Sequence, residues 1–394
     1  MNDQARIAAC CEDLLSLSDQ AEQPERGAWV AAARAFNAHR KVEKRYLQRA
    51  LKALEPRLDA VSAEGNYFAA ETASELMIAL HRKCGSGDQV NRVLTTFGHT
   101  VLRGTRSASA SVAIHWLQQA AEWLEKAELH TEAEALRLEV EKRAPEVLSS
   151  MASFQTEVQI PAGELEQELN RIIDNPQPVV ALIRLVHAMI PKRANLEDGA
   201  RAVAQASPYL NLIPQSIIGN DGLQRAFVGS IEEDLEGRTM VHSVHSLTLN
   251  AEFFWMGYTK IKMRFPEFTV SDMSEFCKLS ELVTPDMHAA IEDALSAFDL
   301  AQHKAAFQAF ISQLEPLLRG LLKLLGIPQY KGVRRHKALT EAKNINDVLG
   351  DSRVQATLDD SLHFFLRAVY TDKRAFNLRH EYAHRVYGHR TTTK

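Results

Sequence analysis

Arg379, His380, Glu381 and His384 gather, within one short stretch of a 394-residue chain, side chains that suit two different chemistries. The first joins Arg379 to His384. Arginine stays charged and offers a planar fork of N–H donors that fits a phosphate. Histidine, with an ordinary pKa of about 6.5, can take or give a proton near neutrality. Cutting RNA internally needs a base for the 2′-hydroxyl, an acid for the departing 5′-oxygen and a cation where charge grows on the phosphate. His380, one turn before His384, could orient it or share the proton transfer. The second chemistry reads the same stretch as His-Glu-x-x-His. On a helix, His380 and His384 then reach one zinc ion, with Glu381 as the base that activates its water.

The elements that must position these residues read as helices throughout. Apolar side chains from Trp29 to Leu54 recur at steps of three and four, and Pro56 is expected to kink or end that helix. Residues 66–83 and 89–102 form one expected helical hairpin, and 109–127 with 131–143 another, the latter closing before Pro145. Trp116 and Trp123, seven apart, share a face and read as core. Residues 155–163 look like an extended linker. A long helix is expected over 231–264; its His242 and His245 read as a satisfied pair rather than as metal ligands. Four segments end the chain, 287–298, 303–325, 351–370 and 373–387, with Thr371-Asp372 as the cap of the last. No strand is expected. The fold class is therefore all-α: helical-hairpin N-terminal and middle regions (1–152 and 160–283), then a helical bundle over 284–394.

Charge and cysteine content narrow the setting. The net charge of -4 hides an asymmetry, since residues 331–394 hold 13 Lys/Arg against 7 Asp/Glu, or +6, leaving -10 for the rest. A basic end on an acidic body suits a polyanionic partner. Cys10, Cys11, Cys84 and Cys277 have no C-x-x-C spacing and read as reduced thiols of a cytoplasmic protein. No run approaches the ~20 apolar residues of a membrane span, so no membrane partner is expected.

Context separates the two chemistries. Arg34 and His39 share the Arg-x4-His spacing, but alanine follows that arginine, whereas polar His380 follows Arg379 in the last helix of the basic end. A zinc metalloprotease needs a third ligand. One pattern places an acidic residue about twenty positions on, and another places glycine three and histidine six positions beyond the second histidine. Here Gly388 is four and His389 five beyond His384, so the register is off.

Two segments together resemble HEPN-type ribonuclease domains, small helical bundles with Arg-polar-x3-His on the last helix. They are Asn377-Leu378-Arg379-His380-Glu381-Tyr382-Ala383-His384 and Leu314-Glu315-Pro316-Leu317-Leu318-Arg319-Gly320-Leu321-Leu322-Lys323-Leu324-Leu325-Gly326. One family of the group ends in Asn-Leu-Arg-Asn-x-x-Ala-His-Gly and carries Leu-Glu-x-x-Leu-Arg-x-Leu-Leu-x-x-x-Gly on an earlier helix. The likeness spans about residues 285–390; His380 stands where that family has Asn, and Arg385 where it has Gly. The resemblance implies metal-independent RNA cleavage by a homodimer, its two motifs meeting across the two-fold axis, with no cofactor. Arg379, His384 and His380 would be catalytic, and Arg334, Arg335, Lys337 and Arg385 are candidates for holding the RNA backbone. An antiphage or toxin role, with a neutralising or activating protein partner, is implied as well. Arg379 and His384 are five apart and share no helix stripe, a difficulty that a site drawing on two helices would ease. A non-catalytic interaction or sensor protein with a HEPN-like dimerisation module stays open beside the zinc reading.

Overall fold

The computed structural model describes residues 3–20, 28–39, 41–152, 161–333 and 336–383. The fold is all-α, with two small antiparallel hairpins as its only sheets among those residues. The chain divides into two compact units: residues 1–153 with 220–223, and residues 154–219 with 224–394.

The first unit is a run of helices: α1 (Asp3–Gln20), α2 (Ala28–Ala38), α3 (Lys44–Glu64), α4 (Tyr67–Cys84), α5 (Gly87–Gly104), α6 (Ala110–Lys126) and α7 (His130–Ser150). Each buries a stripe. Leu54, Leu80, Phe97, Leu117, Leu124 and Leu136 are almost fully enclosed. Burying a side chain of this kind contributes about 1.5–3 kcal/mol, and such stripes hold short helices together better than propensity does. Helices α3 and α4 end on Gly65 and Gly85 in the left-handed conformation, and the Asn66 side chain caps α4 by accepting from the Ala69 N–H at 3.2 Å. Trp116 stacks on Tyr67 (4.5 Å, 4°), and Trp123 lies 5.0 Å from Phe97.

Pro56 and Pro145 do not stop their helices: α3 runs on to Glu64 and α7 to Ser150. Each proline forfeits one backbone bond. Leu58 beyond Pro56, and Ala144 and Val147 around Pro145, are buried and hold the backbone in register. Gly65 and Gly104 touch backbone to backbone, and a Cβ on Gly104 would run into the Gly65 carbonyl oxygen. Gly104→Ala is expected to cost the first unit about 1–3 kcal/mol, the usual range for overpacking, read as a lower urea midpoint with unchanged slope.

The second unit holds α8 (Ala162–Ile173), α9 (Pro178–Met189), α10 (Arg193–Ala206), α11 (Pro208–Leu212), β1 (Gln215–Ile218), β2 (Gln224–Val228), α12 (Leu235–Arg264), α13 (Val270–Lys278), α14 (Pro285–Asp299) and α15 (His303–Leu324). It continues through β3 (Tyr330–Val333), β4 (His336–Ala342), α16 (Ile345–Leu349), α17 (Ser352–Thr357), α18 (Asp360–Tyr370) and α19 (Leu378–Ala383). The hairpins stand where no strand is expected. Strand β1 pairs Gln215 with Val228, and β3 pairs Tyr330 with Ala342, both with a register shift.

Helix α12 serves two cores. Its Tyr258 and Ile261 join Leu169, Leu185 and Phe268, while its Met240 and Leu247 join Leu196, Phe364 and Ala368. A third core gathers Leu314, Leu318 and Leu322 of α15 with Ile345, Val348 and Val354. The segment expected as one helix over 351–370 is split, because Asp359 caps a new helix through the Ser361 and Leu362 N–H groups (2.9 and 3.2 Å). The last helix begins at Leu378, not near residue 373.

Candidate active site

The late start of α19 has a chemical cause. Asp372, expected as a helix cap, is claimed by arginines instead. It accepts from the Arg374 backbone N–H (3.0 Å), from Arg374 Nε (2.9 Å) and Nη2 (2.8 Å), and from Arg367 Nη2 (3.2 Å). Across this turn Arg374 also reaches Asp234 and Glu236 at the N-terminus of α12 (both 3.4 Å), and Arg367 pairs with Glu236 at 2.7 Å. Burial alone would push the Asp372 carboxyl up; the bonds from Arg374 outweigh it and leave the group below the ordinary aspartate value.

The chain then bonds back to α18 through the Phe376 N–H to Ala368 O (3.0 Å) and turns at Asn377. Asn377 is buried and has φ of 47°. Asparagine tolerates that left-handed geometry better than most residues. Its carbonyl accepts the His380 and Glu381 N–H groups (3.0 and 3.1 Å) and so starts α19. The Tyr382 ring packs edge-on against Phe307 of α15 at 5.6 Å. That contact and the turn fix the face that carries Arg379.

Arg379 Nε donates to Glu315 Oε1 at 2.5 Å. The other carboxylate oxygen of Glu315 lies 3.6 Å from Arg319 Nη1, one turn along α15, and Arg319 Nη1 bonds the Lys343 carbonyl at 3.3 Å. Two guanidiniums thus share one carboxylate beside a cavity of about 160 Å³, lined also by Ile311, Ser312, Pro316 and Ile345. Net charge at this spot is +1. Pro316 lacks an N–H, so the Ser312 carbonyl does not receive the bond that a helix would bring it from position 316. The two segments singled out in the sequence, 314–326 and 377–384, therefore meet, and Glu315 is the residue through which they do. Spacing could not reveal a pair 64 residues apart; only the motif on α15 pointed to it.

His380 and Glu381 are described on α19 and are partly buried. His384, Arg385, Arg334 and Arg335 lie outside the described residues, and Lys337 falls within β4. Much of the basic excess is engaged inside the unit: Lys331 pairs with Asp347 and Glu341, and Lys343 and Arg353 share Asp351. Burial, with His245 nearby, holds the His242 imidazole below its ordinary pKa, and its ring lies against Gly199 of α10. Among the described residues no group of three or more His, Cys, Asp or Glu is placed to hold a metal ion, and no helix is long and apolar enough to cross a membrane. No protein-family model, curated protein or solved structure matches the chain.

Proposed function

We propose that this protein is a metal-independent endoribonuclease of HEPN type, working as a homodimer. The observation that supports the reading is the meeting of the two motif-bearing helices: α19 is seated on α15 by Tyr382 and Phe307, and Arg379 shares Glu315 with Arg319 at the rim of a cavity. In the proposed reaction His384 removes the 2′-hydroxyl proton, and the 2′-oxygen forms a bond to phosphorus as the bond to the 5′-oxygen breaks. That oxygen takes a proton from a protonated imidazole, His380 or the partner subunit's His384. Arg379 neutralises the charge growing on the phosphate, with Glu315 fixing the orientation of its fork. RNA is the substrate. A role in antiphage defence or growth arrest, with a neutralising or activating protein partner, follows from the resemblance alone.

The product ends test this chemistry. In-line attack by the 2′-oxygen leaves a 2′,3′-cyclic phosphate and a 5′-hydroxyl, and 2′-O-methyl RNA resists cleavage. Products bearing a 3′-hydroxyl and a 5′-phosphate would instead require an external water and would reject the mechanism.

A further inference from the structure

Helix α12 runs for 30 residues and buries one side, which includes Met240, Ser243, Leu247, Tyr258 and Ile261. At about 100° per residue, His245, Leu249, Glu252, Met256, Thr259 and Met263 fall on the opposite side, at alternating steps of four and three. All six are exposed. That is the spacing of a helix–helix seam. Its apolar members Leu249, Met256 and Met263 are 39%, 44% and 76% exposed. They span about 21 Å of helix at 1.5 Å per residue. Beside the Met263 end opens a groove of about 550 Å³, lined by Asn170, Ile173 and Lys260 as well. Charge along this part of the helix is uneven: Glu252 precedes Met256, while Lys260 and Arg264 follow it.

We propose that this face of α12 pairs antiparallel with the same face of a second copy of the chain, about a two-fold axis at Met256. Met256 then meets itself, Leu249 meets the partner's Met263 at the mouth of its groove, and Glu252 meets the partner's Lys260, each contact occurring twice as an isologous interface requires. Parallel pairing in register would set Glu252 against Glu252 and Lys260 against Lys260, so charge selects the antiparallel arrangement. Lys260 is already held at the groove by Glu166 (2.9 Å) and Asn170 (3.2 Å), and a lysine ammonium has three donors, leaving one for the partner's Glu252. The occupant is a second copy because one helix carries both halves of the complement. The surface lies outside residues 285–390, and the pairing does not depend on whether RNA is cut.

Light scattering of wild type, Glu252→Lys, Lys260→Glu and the double reversal tests the pairing, together with mild oxidation of Met256→Cys. Wild type is expected to self-associate, each single reversal to remove this interface and lower the assembled mass, and the double reversal to restore it. Met256→Cys should give a disulfide-linked dimer well above the wild-type background from exposed Cys10, since a bridge needs Cα atoms within about 7 Å. A monomeric wild type at its highest soluble concentration overturns the proposal. So does a dimer that ignores the single reversals and fails to cross-link through position 256. RNA cleavage is scored in parallel on the same samples, so the response of assembly to the charge reversals and the presence of cutting are read separately.

Discussion

Arg379→Ala is expected to lower RNA cleavage by roughly 10²–10³-fold, the usual cost of removing one donor aimed at developing charge. The same substitution should barely touch stability. The Arg379–Glu315 pair is partly open to water, with the arginine side chain 39% exposed, and pairs of that kind contribute at most about 1 kcal/mol. A loss of that many powers of ten in rate corresponds to roughly 3–4 kcal/mol, so the two roles separate cleanly. Arg379→Lys keeps the charge and loses the fork, and most of the deficit should remain. Rates measured alongside thermal melts decide it: an inactive variant that melts like wild type supports a chemical role. Full activity in Arg379→Ala removes the guanidinium from the mechanism.

The largest stability effect is expected at Arg374→Ala. It would leave Asp372, whose side chain is only 8% exposed, with Arg367 as its one cation and the backbone N–H of position 374, and would take Arg374 away from Asp234 and Glu236, of which Glu236 keeps Arg367. Removing one partner of a buried ion cluster costs about 3 kcal/mol when another cation remains nearby. For a unit of this size that is a fall of about 2–4 °C in Tm per kcal/mol. The pH dependence follows from the depressed carboxyl of Asp372. A folded value below the unfolded one gives stability that is present above pH ~4 and lost as pH falls through the folded value. Wild type should therefore weaken on acidification, and Arg374→Ala should show a shallower acid slope from a lower plateau. Denaturant melts from pH 7 to pH 3 check both, and parallel slopes would assign the acid sensitivity to other carboxylates.

Helices were legible because their apolar stripes repeat at steps of three and four: α4, α5 and α6 lie within a few residues of their expected positions. What misled were local signals overruled at long range. Pro56 and Pro145 read as breakers, yet buried neighbours hold α3 and α7 together through them. Asp372 read as a helix cap, but arginines at 367 and 374 take its oxygens. Strands β1 (Gln-Ser-Ile-Ile) and β2 (Gln-Arg-Ala-Phe-Val) carry too little polar–apolar alternation to announce themselves, and four of the five β2 side chains are at least partly exposed. At the candidate site, the motif residues stood out in the sequence. Their partners did not: Glu315 is 64 residues from Arg379, and Asp234 is 140 from Arg374. Pairs so distant leave no periodicity for a sequence to display.

Cleavage of single-stranded RNA by the purified full chain in excess EDTA, wild type beside His384→Ala, tests the central claim most directly. The expected result is cutting by wild type and a loss of roughly 10²–10⁴-fold in the variant, the range for removing a general acid or base. Cleavage that stops in EDTA and returns with added zinc, or persists undiminished in His384→Ala, would contradict it.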